Sequence, residues 1–98
     1  DYEYVKKYLV QVEESKALLY SACDRLGLEY WKSAANFVLV RAGARLGALM
    51  EAADGQGIYL RDRSTEPGCQ GCVRITAGVV QHTQRVIDVM NEVLCAAP

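Results

Sequence analysis

Two arginines carry the clearest chemical signal in these 98 residues. Arg61 closes the run Ile58-Tyr59-Leu60-Arg61, and Arg74 lies within Cys72-Val73-Arg74-Ile75-Thr76-Ala77. Both runs alternate apolar and polar residues, the pattern of a strand with one covered face. Side chains on a strand point alternately to opposite faces, so Ile58 and Leu60 share one side and Tyr59 and Arg61 the other. By the same rule Val73, Ile75 and Ala77 face one way, while Cys72, Arg74 and Thr76 face the other. If helices cover the aliphatic side, both guanidiniums emerge together on the bare side. Guanidinium forks bind carboxylates and phosphates bidentately, which makes the pair a candidate anion site. The plainer alternative is a solvated face on which Asp62 and Glu66 are the arginines' partners.

Other reactive residue types point less clearly to chemistry. Cys69-x-x-Cys72 has half the spacing of a zinc site, but zinc needs four ligands, and Cys23, Cys95 and His82 stand singly on helices. A thioredoxin-like pair places its first cysteine at a helix N-terminus, whereas this pair precedes a strand. Both thiols therefore read as buried or loop residues. His82, the one histidine, has no serine or cysteine placed beside it and reads as a surface residue. The tyrosines and Trp31 are not interleaved with basic residues on a strand, which argues against a base-stacking platform. No glycine loop of the phosphate-cradling kind is present.

The elements that must position the arginines follow from periodicity. Tyr2, Val5, Leu9, Val12, Leu19, Cys23 and Leu26 recur at helical steps, with Lys16 the one polar exception, and Gly27 sits where a helix C-cap glycine belongs. A coiled-coil strand is the alternative, but Lys16 breaks the seam. Asn36 to Arg41 is a short β-rich run and predicts the first strand. Gly43 to Ala53 predicts a second helix on the stripe Leu46, Leu49, Met50 and Ala53, stopped by Asp54-Gly55-Gln56-Gly57. Residues 58–61 form the second strand, 62–71 a polar loop, and 72–77 the third strand, closed by Gly78. A last helix runs from about Val80 to Leu94.

This order predicts one α+β domain over residues 1–98: a small antiparallel or mixed three-stranded sheet with helices packed on one face. A right-handed crossover makes the first two strands parallel, and the third lies between them, antiparallel to each. The hydrophobic share of 51% is enough for a real core, and the net charge of -1 gives no field for nucleic acid or an anionic membrane. No apolar run approaches the roughly 20 residues of a membrane span, and the start has no signal-peptide pattern. The chain opens at Asp1 directly into a helix, which reads as a piece of something longer. The cysteines read as reduced thiols in a cytoplasmic protein.

Three stretches together resemble a known family. Ala35-Asn36-Phe37-Val38-Leu39-Val40, then Gly57-Ile58-Tyr59-Leu60-Arg61-Asp62, then Gly71-Cys72-Val73-Arg74-Ile75-Thr76-Ala77-Gly78 look like successive landmarks of histidinol-phosphate aminotransferases. Arg85-Val86-Ile87-Asp88 continues the likeness, which covers nearly the whole chain and is least specific in residues 1–30. The resemblance is to the C-terminal small domain of these pyridoxal-phosphate (PLP) enzymes of fold type I. It implies transamination between an L-amino substrate and a 2-oxo acid, homodimers in the parent enzyme, and packing against a large PLP-binding domain. It also implies that Arg61 grips the substrate phosphate, and that Arg74 binds the α-carboxylate or helps hold the anionic end of the substrate. The two are thirteen positions apart, as in the family.

The chain departs from the family in two ways. Val79 follows Gly78 where a capping threonine is common, so the last helix is expected to start poorly capped. The Schiff-base lysine and its surroundings have no counterpart: Lys6, Lys7, Lys16 and Lys32 lie in helix-surface or loop contexts. The resemblance therefore leaves these residues with substrate contacts and without catalytic ones or a bound cofactor. The readings that compete with it are a free-standing anion-binding or interaction module and a metal or redox protein built on Cys69 and Cys72.

Overall fold

The long N-terminal helix runs where its spacing places it. Helix α1 spans Tyr2–Leu26; the Asp1 carboxylate accepts from the Glu3 amide at its start, and Gly27 ends it in the left-handed region with φ 71°. A computed structural model describes residues 1–95, and the remaining elements follow in the order β1 (Glu29–Trp31), β2 (Phe37–Arg41), α2 (Leu46–Gly55), β3 (Arg61–Asp62), β4 (Cys72–Thr76) and α3 (Val80–Leu94). A 3-10 turn over Gly43–Arg45 leads into α2. The strands form one sheet in the order β1-β2-β4-β3, each neighbouring pair antiparallel.

The α+β class and the helix-covered face agree with the sequence reading, and β4 lies between β2 and β3 as the crossover argument requires. Two details differ. A fourth strand, β1, pairs Glu29–Trp31 with Arg41, Val40 and Leu39; three residues are too few to show a period. The second expected strand begins at Arg61 instead of Ile58, and only Arg61 and Asp62 join the ladder. The Ile58 amide is taken by the Ala53 carbonyl at the end of α2 (2.8 Å), so the backbone there finishes a helix before it can pair with a strand.

The core fills the covered side of the sheet. Val38 and Val40 of β2 and Val73 and Ile75 of β4 are fully buried against Leu19 and Cys23 of α1, Leu49 of α2 and Met90 of α3. Each such side chain contributes roughly 1.5–3 kcal/mol through its removal from water. Burial pushes the Cys23 thiol up to about 11, with the Asp24 carboxylate adding to the rise, so it packs as a neutral hydrophobe.

Lys16, expected in a helix-surface context, is 7% exposed. Its Nζ donates to the carbonyls of Ser33 (2.8 Å) and Ala35 (3.2 Å) and lies 3.1 Å from a Glu13 oxygen. A buried ammonium needs such partners, and they tie the entry of β2 to α1. The first turns of α1 differ in the other direction. Tyr2, Val5 and Leu9 of its apolar stripe are exposed, and burial begins at Val12.

The start of α3 is capped by an unforeseen route. Val79 gives no side-chain cap, as the sequence implies, but the Val80 amide donates to Oε1 of Gln11 on α1 (3.1 Å). Next to it, Ser15 Oγ donates to the Gly78 carbonyl (2.7 Å). Gln11→Ala is expected to cost about 1 kcal/mol, the usual value of a lost N-cap. A lower urea midpoint with an unchanged slope would register it. An unchanged midpoint would mean that water replaces the glutamine at no loss.

Candidate anion-binding site

The uncovered face of the sheet holds the candidate site, and its geometry comes from strand register. Arg61 pairs directly with Arg74 across β3 and β4, and Arg74 pairs with Leu39 across β4 and β2. Directly opposed side chains on one face have Cβ atoms about 5 Å apart. Both guanidiniums therefore leave the same side of the sheet together. Like charges in direct opposition destabilise a ladder, so the pair costs the fold something in the absence of a counter-anion.

Neither guanidinium has a hydrogen-bond or ion-pair partner in a side chain or carbonyl of the described residues. The other five arginines all donate side-chain hydrogen bonds: Arg25 to Asn91, Arg41 to Glu29 and two carbonyls, Arg45 to the Val93 carbonyl, Arg63 to Glu66, and Arg85 to the Gln56 carbonyl. Asp62 and Glu66, the acids that could have neutralised the pair, are engaged elsewhere. The Ser64 amide and hydroxyl both donate to the Asp62 carboxylate, which holds its carboxyl below the ordinary range. Glu66 pairs with Arg63. Ion pairing with these two acids is therefore not what holds the arginines, and the exposed Arg61 is left to solvent.

Arg74 is half-buried and lines a cavity of about 330 Å³ with Phe37, Leu39, Arg63, Glu66, Pro67 and Cys69, so the Arg63–Glu66 pair forms part of its wall. Its guanidinium carbon lies 5.1 Å from the centre of the Phe37 ring. Arg61 stands exposed beside this cavity, outside its lining. One guanidinium thus lies against an aromatic ring in a cavity wall, while the other stands in solvent.

Phe37, Leu39 and the 62–71 loop are the contributors that sequence reading did not single out. Phe37 and Leu39 alternate with buried Val38 and Val40, and in this apolar run the one polar marker of the outward parity is Arg41 at the end of the strand. Arg74, paired with Leu39 on the adjacent strand, shares that outward face. The loop comes over this face because Arg41 pins it, donating to the carbonyls of Gln70 (3.1 Å) and Gly68 (2.6 Å) while stacked 5.2 Å from the Trp31 ring centre.

The remaining candidates sit apart from this pair. Cys69 is half-buried and Cys72 buried, both free thiols at the ends of one turn, and no three metal-ligating side chains converge among the described residues. His82 is exposed and lines a separate cleft of about 410 Å³ with Tyr8, Tyr59 and Thr76. No described lysine offers a free amine inside a cavity: Lys6, Lys7 and Lys32 are exposed, and Lys16 is committed to two carbonyls and Glu13. These residues do not fit the seat of a PLP Schiff base. No chemical step through that cofactor follows from them.

Fold and site together define a small α+β domain that presents two unneutralised arginines from a sheet. Residues 1–92 match the model of the family Aminotransferase class I and II, and the chain belongs to that family. It is 33% identical over its full length to a histidinol-phosphate aminotransferase of Haloferax volcanii, of which it covers 26%. It is 41% identical over 64 residues (65% of this chain) to the enzyme of that name from Haloarcula marismortui, covering 17% of it. The fold is similar to that of histidinol-phosphate aminotransferase from Sinorhizobium meliloti, solved in complex with pyridoxal-5'-phosphate. There the TM-score is 0.74 at 23% identity, over 96% of this chain and 26% of that one. The chain thus spans about a quarter or less of the length of these relatives.

Proposed function

We propose that residues 1–98 are the C-terminal, substrate-binding small domain of a PLP-dependent aminotransferase acting on histidinol phosphate. The parent reaction exchanges the amino group of histidinol phosphate with 2-oxoglutarate, giving imidazole-acetol phosphate and glutamate in histidine biosynthesis. The observation that carries this reading is the direct opposition of Arg61 and Arg74, neither of them ion-paired with an acid among the described residues. Arg61 takes the phosphate of one substrate. Arg74 takes the α-carboxylate of the amino-acid partner or shares the anionic end of the phosphorylated one. Both substrates present an anion, so one pair of guanidiniums serves both halves of the reaction.

The catalytic lysine and the PLP cradle belong, in this proposal, to a large domain of the same parent chain, and the fragment by itself binds no cofactor. The exposed stripe of Tyr2, Val5 and Leu9 supports the docking of such a domain. It continues into a cleft of about 470 Å³ lined by Leu9, Val12, Ala34 and Ala35. Exposed apolar patches of this kind mark interaction surfaces. The parent is proposed to be a homodimer, and the four free thiols accord with a cytoplasmic setting.

The test is to compare the 98-residue chain with the full-length parent. The parent should show the absorbance of a PLP–lysine adduct and convert histidinol phosphate with 2-oxoglutarate; the isolated chain should do neither. PLP bound covalently to the isolated chain would overturn the division of labour. Tight binding of histidinol phosphate to that chain, together with an inactive parent, would favour a free-standing binding module instead.

A further inference from the structure

We propose that Phe37 is a positioning residue for the anion site, holding the Arg74 guanidinium by its face so that its N–H edge stays open to ligand. This rests on the reading of Arg74 as an anion ligand and adds a reason for its orientation. Phe37 pairs with Thr76 in the ladder, two residues along from the Leu39–Arg74 pair, so its ring lies diagonal to Arg74 on the uncovered face. Aromatic side chains reach across that diagonal. The ring centre is 5.1 Å from the guanidinium carbon, and both side chains line the same cavity.

The way Arg74 is held decides what it can bind. A guanidinium has five N–H donors, and a carboxylate partner would occupy two of them and cancel the charge. An aromatic ring attracts the cation through its π face and takes none of the donors. The same sheet face shows the contrast. Arg41 also lies over a ring, that of Trp31, but its donors are spent on Glu29 and the Gln70 and Gly68 carbonyls. Arg41 therefore acts as a latch for the 62–71 loop. Arg74 makes no such bond among the described residues, and the Phe37 ring is the cation-holding group beside it. Without the ring it would be a long, mobile side chain next to the like charge of Arg61 and would have to be ordered by the ligand.

The experiment titrates inorganic phosphate into the full-length protein by calorimetry for wild type, Phe37→Leu, Phe37→Trp and Arg74→Gln. It is paired with NMR of the Arg74 side chain in the 98-residue chain. Phe37→Leu keeps the apolar volume and removes the ring. It should weaken phosphate binding by roughly threefold to tenfold and abolish the ring-current shift of the Arg74 side-chain protons. Phe37→Trp, with the better cation-binding face, should restore both. If Phe37→Leu binds phosphate like wild type while Arg74→Gln does not, the positioning role is overturned and the anion site stands. A weakened Phe37→Leu that tryptophan does not rescue reduces Phe37 to packing and also overturns the role. If Arg74→Gln itself binds like wild type, Arg74 takes no part in holding phosphate, and the role proposed for Phe37 is overturned with it.

Discussion

Replacing Arg74 with alanine in the proposed full-length parent is expected to lower kcat/KM for the substrate whose anion it holds by roughly thirty-fold to nearly a thousand-fold. That range corresponds to roughly 2–4 kcal/mol, the cost of losing a charged hydrogen-bonding partner of a bound anion. Arg74 points away from the core, and its strand neighbours Val73 and Ile75 carry the packing, so far-UV circular dichroism should be unchanged. Arg74→Lys should recover only part of the loss, because an ammonium is a point charge and cannot present a planar fork. Steady-state kinetics with both substrates checks this. Unchanged kinetics in Arg74→Ala would remove the residue from the site.

The largest expected effect on stability comes from Gly71, on the loop that delivers β4. Its φ is 74°, and a Cβ built there would lie 2.7 Å from the Gly43 Cα and 2.9 Å from the Gly43 nitrogen. The approach is this close because the Gly71 carbonyl accepts from both the Ala42 amide (2.8 Å) and the Gly43 amide (3.1 Å). Gly71→Ala meets two costs: about 1–2 kcal/mol for a side chain in the left-handed region, and about 1–3 kcal/mol for pushing apart two packed backbones. Roughly 2–5 kcal/mol should be lost in urea unfolding. Gly68→Ala is the internal control. It has a similar φ of 77° but open space around the added carbon, so only the conformational cost applies. Equal losses at the two positions would show that the contact with Gly43 costs nothing.

The parts of the fold legible in the sequence were those set by periodicity over many residues. The bounds of α1 and α3 came from their stripes and, for α1, from Gly27. The faces of β4 came from strict alternation. What stayed hidden depended on partners remote in sequence. β1 exists because β2 offers it an edge, which Glu29-Tyr30-Trp31 cannot announce. The late start of β3 is decided by the Ala53 carbonyl, and the burial of Lys16 by two carbonyls 17 and 19 residues away.

The candidate site divides in the same way. Arg61 and Arg74 were readable because each stands alone and charged on an alternating strand. Their freedom from acids was not readable, since it depends on Asp62 bonding to Ser64 and Glu66 turning to Arg63. Phe37 was hidden inside an apolar run whose one polar marker, Arg41, stands at its far end.

The bonds from Gln11 and Ser15 to the corner between β4 and α3 also have a mechanical meaning. Helix α1 has 25 residues and is about 37 Å long, so a tilt of a few degrees moves its far end by roughly 2 Å. Gly78 and Val80 flank the turn that leaves the strand of Arg74, and both are fastened to α1 near its middle. Lys16 fastens the entry of the strand that carries Phe37 to the same stretch of helix. The middle of the long helix is therefore tied to both strands that carry Phe37 and Arg74. The exposed first turns of α1 are thus an arm whose root is fixed beside the strands of the anion site.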